Sequence, residues 1–214
     1  MNDYLDVVSP LFLLLFILFR GNFKISRDYI FWFIILQLVL NLYSKILLLK
    51  QTPNLHLYNI NVVVSFLLIS AFFWHILHLK KKKLIITSII VLYTLFIIFD
   101  LIKLENFISE FNSYNYGAAS FMLVAYCLTY YLEKLRYPTE EKITSSRDFW
   151  FVTGILTYYS GCFFIFINYK NLTLTQNFNK GIAYIWYIHN VILMIMFVYF
   201  FIGMLCKPYP KKFR

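Results

Sequence analysis

The amino-acid sequence predicts an all-α polytopic bundle of seven transmembrane helices, N-terminus out and C-terminus in, and three observations predict it. Of 214 residues, 61% are hydrophobic and only 14% charged. A soluble domain of this length keeps far more of its surface polar, so the composition points to lipid as solvent. The apolar residues gather in seven stretches, about 4–19, 29–49, 59–79, 84–102, 115–133, 149–168 and 181–205. Each approaches the roughly 20 residues of helix that cross a hydrocarbon core about 30 Å thick. The basic residues lie between these stretches and are distributed unevenly. The 21% aromatic content accompanies many Ile, Asn and Lys residues and is read as compositional bias.

The first stretch is the shortest and carries Pro10. It opens with MNDYLD, two aspartates and no basic residue, which argues against a cleaved secretory signal. Its positive residues follow it, at Arg20, Lys24 and Arg27. The second stretch is bounded by that cluster and by Lys50. The third and fourth are separated by Lys80 to Lys83, read as a tight cytoplasmic turn and an orientation signal, with some attraction to anionic lipid. The fifth and sixth are joined by the longest cytoplasmic connection, EKLRYPTEEKITSSRD, in which Ser145 and Ser146 are placed to cap the sixth helix. The seventh runs to the basic tail.

Fifteen of the twenty Lys and Arg residues fall in one set of connections: Arg20, Lys24, Arg27, Lys80 to Lys83, Lys134, Arg136, Lys142, Arg147, Lys207, Lys211, Lys212 and Arg214. Four, Lys50, Lys103, Lys170 and Lys180, fall in the other, and Lys45 lies within a span. Basic loops face the cytoplasm, which sets the orientation. The net charge of +10 is accounted for in this way. Nucleic acid is not an expected partner, since that needs a basic face on a folded polar surface. All connections are short, so residues 1–214 read as one transmembrane domain whose activity lies in its helices or with a partner. Cys127, Cys162 and Cys206 fall in or at the ends of apolar stretches and read as small buried hydrophobes, not as a disulfide framework.

Polar side chains inside a span face other helices or a cavity. Gln37, Asn41, Ser44 and Lys45 form an i, i+4, i+7, i+8 stripe on the second span. Tyr126, Thr129, Tyr130 and Glu133 form one on the fifth. The sixth offers Thr153, Thr157, Ser160 and Gly161, with Gly154 and Gly161 on one face expected to meet a neighbouring helix. Trp186, His189 and Asn190 stand together on the seventh. Interhelical hydrogen bonding explains such stripes, and so does a ligand cavity. By depth, a cavity opening to the outer face would be lined by Asn41, Lys45, Asp100, Trp186, His189 and Asn190, with Lys45 and Asp100 as an ion pair or sharing the cavity.

No metal site or cofactor is expected. His75 and His78 sit near the cytoplasmic end of the third span, whereas His189 lies toward the outer end of the seventh. At about 1.5 Å per residue the levels of His75 and His189 differ by roughly 10 Å, too far to share an ion. His56 lies in an outer connection and carries no signal. The chain contains no HExxH, GxSG, GxGD, histidine box or P-loop. The seventh span has no lysine for a retinal Schiff base. The Pro-Gln pairs of three-plus-one-plus-three sugar transporters are missing too. No catalytic residue is therefore named.

The segment RDFWFVTGILTYYSGCFFIFI, followed by YIWYIHNVILMIMFVYFFIGMLC, resembles a pattern of small uncharacterised seven-helix integral membrane proteins of Bacteroidota-type bacteria. That pattern has an FW before span six, a G-x-L-x-Y-x-SG run within it and a W-x-x-x-N motif in span seven. Here the matching residues are Phe149, Trp150, Gly154, Leu156, Tyr158, Ser160, Gly161, Trp186 and Asn190, within about residues 148–206. Such proteins are often encoded near sensor histidine kinases or response regulators. The resemblance implies a multi-pass protein of the bacterial inner membrane, engaged in signalling and partnered by a membrane protein such as a sensor kinase. The leading expectation is a sensor or accessory subunit. A small-solute or lipid transporter is the alternative, and a lipid-modifying membrane enzyme comes third.

Overall fold

The computed structural model describes residues 4–20, 28–77, 80–103, 111–138, 142–174 and 178–206. They form helices α1 (Leu5–Arg20), α2 (Tyr29–Leu49), α3 (Leu55–Ile76), α4 (Lys80–Lys103), α5 (Ser113–Arg136), α6 (Arg147–Leu174) and α7 (Phe178–Leu205). A short 3-10 turn, Ile143–Ser145, precedes α6. Each helix coincides with most of one of the seven apolar stretches. Five are long and apolar enough to cross a membrane: α2, α3, Lys81–Asp100 of α4, Arg147–Tyr169 of α6 and Tyr184–Leu205 of α7.

The other two fall short for different reasons. Helix α1 has 16 residues, fewer than a full span needs. Helix α5 has 24 but is too polar. Its Ser113, Asn115, Ser120, Tyr126 and Glu133 are buried against other helices, so their polarity is spent inside the bundle. Boundaries shift as well. Helix α3 starts at Leu55 and closes at Ile76, where Leu77 turns to extended backbone with its N–H still donating to the Phe73 carbonyl. The four lysines are not a free turn, because Lys80 opens α4.

Helices α1, α2, α3, α5, α6 and α7 pack in a ring, each against the next, with α1 closing on α7, and α4 lies outside against α3 and α5. Helices consecutive in the chain alternate in direction, so α3 and α5 run parallel, the Tyr116 hydroxyl near the start of α5 reaching the Tyr58 carbonyl near the start of α3. The start of α1 meets the end of α2 through Asp6 and Lys45, and the start of α4 meets the end of α5 through Lys82 and Glu133. Only 17% of the α4 span is buried, against 50% of the α3 span, so α4 is the peripheral helix. Aromatic rings fill the centre: Phe33 of α2 and Phe151 of α6 meet Phe200 of α7 at centroid distances of 6.1 and 5.3 Å, and Phe72 of α3 meets Phe151 at 6.1 Å.

The seam between α6 and α7 depends on missing side chains. A Cβ on Gly203 would stand 2.8 Å from the Phe151 ring and 3.1 Å from the Arg147 carbonyl. One on Gly154 would meet the Met196 carbonyl at 3.0 Å. Gly154 and Gly161 therefore both face α7, as their spacing suggests. Gly161 is at the open edge, where its neighbour is the flexible Ile192 side chain at 3.3 Å.

At the Lys82 end, Asp28 accepts from the Ile30 N–H at 3.2 Å, capping α2. Its other oxygen takes a 2.9 Å bond from Arg147 of α6. Lys82 pairs with buried Glu133 at 3.1 Å, and Lys83 lies 4.5 Å over the Trp74 ring. These lysines are thus structural pegs and more than an orientation signal. The serine cap of α6 does not form as expected. Ser145 donates to the Lys142 carbonyl at 2.6 Å inside the 3-10 turn, and the Ser146 hydroxyl has no hydrogen-bond partner among the described residues.

Candidate functional site: a polar layer at the Lys45 end

Polar side chains concentrate at the Lys45 end of the bundle, and α2 supplies the first group. Gln37 and Asn61 exchange reciprocal amide hydrogen bonds of 2.9 and 3.2 Å, and Ser65 closes the set with bonds of 3.0 Å to Gln37 and 2.9 Å to Asn61. Each of these amides is satisfied by another buried polar group, which low-dielectric surroundings demand.

One turn further along α2, Asn41 and Lys45 both reach α1. The cause is Pro10. A proline inside a helix has no N–H for the carbonyl four residues back, here that of Asp6. Asn41 Nδ2 donates to this carbonyl oxygen at 2.9 Å. The Asp6 carboxylate takes Lys45 Nζ at 3.4 Å, with the Tyr4 ring 5.8 Å from the ammonium. The expected Lys45–Asp100 pair is therefore corrected. Asp6 on the adjacent α1 lies at the same depth, whereas α4 stands on the far side of α3. Asp100 instead accepts from Asn112 Nδ2.

Asn112 organises the start of α5. Its Oδ1 caps Asn115 N–H at 3.0 Å, and its own N–H donates to Asn59 Oδ1 at 3.1 Å. Asn115 accepts from the Tyr93 hydroxyl of α4. Asp100 thus belongs to a group joining α3, α4 and α5, separate from the group around Lys45.

The third group lies on α6 and α7. The Tyr158 hydroxyl is 2.8 Å from His189 Nε2, and His189 Nδ1 is 3.1 Å from Asn190 Oδ1. An amide oxygen only accepts, so this contact assigns the proton to Nδ1 and leaves Nε2 to accept from Tyr158. Trp186 Nε1 donates to the Tyr169 hydroxyl at 3.3 Å, and its ring stands edge-on to His189 at 5.0 Å. His189 and Asn190 are buried. The expected trio of α7 is therefore held together in one hydrogen-bonded aromatic group.

Tyr58 of α3 joins the groups. Its hydroxyl accepts from Ser44 of the α2 stripe at 3.1 Å, and its ring lies 5.3 Å from Trp186 of α7. Its backbone carbonyl accepts from the Tyr116 hydroxyl at 2.7 Å. Of the six residues expected to line one cavity, Asn41 and Lys45 share the Asp6 group, and Trp186, His189 and Asn190 share the Tyr158 group. Asp100 stands apart. Sequence reasoning missed Asp6, Tyr58 and Asn61. The one available cue was that Pro10 must orphan the carbonyl of Asp6.

Among the described residues no three His, Cys, Asp or Glu side chains stand together as metal ligands do. His75 is exposed beside the Tyr29 ring at 6.3 Å, and His78 lies outside the described residues. Cys127 and Cys162 are free and buried, and Cys206 is free and half-buried. Comparison with protein-family models, with curated proteins and with solved structures finds no match in any of the three.

Proposed function

We propose that this chain is a seven-span protein of the bacterial inner membrane, N-terminus out, acting as a sensor or accessory subunit for a partner such as a sensor kinase. In this reading α1 and α5 cross the bilayer within the bundle, their short length and polarity compensated by their neighbours, and the Lys45 end faces outward. The polar layer receives a small anionic or amphipathic molecule from that side. The supporting observation is Tyr58. It is hydrogen-bonded to the α2 stripe on one side and packed against the Trp186 ring on the other, so a molecule that displaces either contact moves α2 and α7 relative to α3.

A transporter of small solutes or lipids is the second reading. Buried charge at the opposite end, in the Lys82–Glu133 pair, favours it, because polar groups at both ends suit a path through the bundle. Affinity purification from native membranes, followed by protein and lipid analysis, separates the two. The sensor reading predicts a stoichiometric membrane-protein partner whose recovery changes at least several-fold in Trp186→Leu. A chain recovered alone, and moving solute or lipid in proteoliposomes, contradicts it.

A further inference from the structure

The stripe on α5 lies outside the polar layer. Tyr126, Tyr130 and Glu133 recur at i, i+4 and i+7 and share one helix face. All three are buried, with relative exposures of 3%, 1% and 5%. Ser70 of α3, fully buried, stands opposite Tyr126. Neither hydroxyl makes a hydrogen bond of ordinary geometry, to the other or to any further group among the described residues. Phe66 and Phe73 flank them, their centroids 6.4 and 5.6 Å from that of Tyr126.

Buried hydroxyls in folded proteins are satisfied by protein groups or by ordered water, and water takes the sites where two or more polar atoms converge. We propose that the α3–α5 seam binds internal water between Ser70 Oγ and the Tyr126 hydroxyl, and that this water continues past Tyr130 to the Glu133–Lys82 pair. From Tyr126 to Glu133 the rise along α5 is roughly 10 Å, a short file. Single facing hydroxyls between aromatic walls suit water and not an organic ligand. Water reaching Glu133 from within opens a route by which protons reach that carboxylate from the interior of the bundle.

Radiolytic footprinting of the wild-type chain in lipid nanodiscs tests this, because irradiated bound water oxidises the side chains beside it. Phe73 and Tyr126 should be labelled several-fold faster than Phe151 and Phe200, which are equally buried in an apolar setting. Labelling of Phe73 no faster than that of Phe200 overturns the proposal. As a second readout, Ser70→Ala and Tyr126→Phe should each cut Phe73 labelling several-fold and lower the thermal midpoint. A raised midpoint in both marks a dry seam relieved of an unsatisfied hydroxyl, and overturns it equally.

Discussion

The apolar spans of α7 and α4, Tyr184–Leu205 and Lys81–Asp100, are of nearly equal mean hydropathy, yet the two helices are held by opposite means. Helix α7 is fastened to α6 by shape: glycines at 154 and 203 let backbone and aromatic rings approach closer than any side chain allows. Helix α4 has no glycine. It is fastened by polar pegs, Lys82 to Glu133 at one end and Tyr93 and Asp100 to Asn115 and Asn112 toward the other. Helix α1 is joined to α2 in the same manner, through Asp6. Hydropathy alone does not distinguish these helices. In lipid, where apolar burial gives little net drive to association, close packing and hydrogen bonding are the two available forces, and this bundle uses each in a different place.

The glycine seam should be the more brittle. Gly203→Leu drives a side chain into the Phe151 ring and the Arg147 carbonyl, and overpacking there should cost about 3 kcal/mol. Thermal unfolding in detergent reads this directly, and an unchanged midpoint would dissolve the distinction drawn above. Lys82→Met leaves Glu133 buried without its ammonium. Removing one partner of a buried ion pair costs about 3–5 kcal/mol, and the partial exposure of Lys82 reduces this to about 2 kcal/mol. Adding Glu133→Gln should restore most of the loss. A double variant no better than the single one would show that the peg is not electrostatic.

Asn41→Leu should cost about 1–2 kcal/mol, because it removes the donor from a carbonyl that Pro10 takes out of the helix ladder. In a Pro10→Ala background the helix satisfies that carbonyl itself, so the same substitution should cost less. A double-mutant cycle with no coupling would refute this account of the polar α1–α2 joint. The smallest effect belongs to Gly161→Leu, below about 1 kcal/mol, since only the movable end of Ile192 stands in the way. A loss as large as that of Gly203→Leu would extend the rigid seam to the whole of α6.

Much of this was legible in the sequence, and the failures share a cause. Hydropathy located seven helices to within a few residues, and helical spacing identified the inward face of the α2 stripe. Depth was legible too, since Lys45, Asp6 and Asp100 all count to the same end. The direction around the bundle was not. Choosing Asp6 over Asp100 requires knowing that α1, not α4, stands beside α2, and nothing local encodes that. Helix α5 was read as a span, and it falls outside the five helices apolar enough to cross a membrane. The polarity that sets it apart is turned inward, Asn115 toward Tyr93 of α4 and Glu133 toward Lys82, and spacing alone does not say which neighbours receive it. The serines before α6 were placed correctly for a cap, but the 3-10 turn redirects Ser145 to Lys142.

The placement of the polar layer on the outer side rests on the orientation of the bundle, and site-directed labelling measures it. Thr52 and Lys142 are both exposed, in the α2–α3 and α5–α6 connections. In a background with the native cysteines replaced, Thr52→Cys should react with a membrane-impermeant maleimide on intact cells. Lys142→Cys should react only after permeabilisation. Labelling of residue 142 from outside, with residue 52 protected, would turn the Lys45 end toward the cytoplasm and contradict an external ligand for Tyr58, Trp186 and His189.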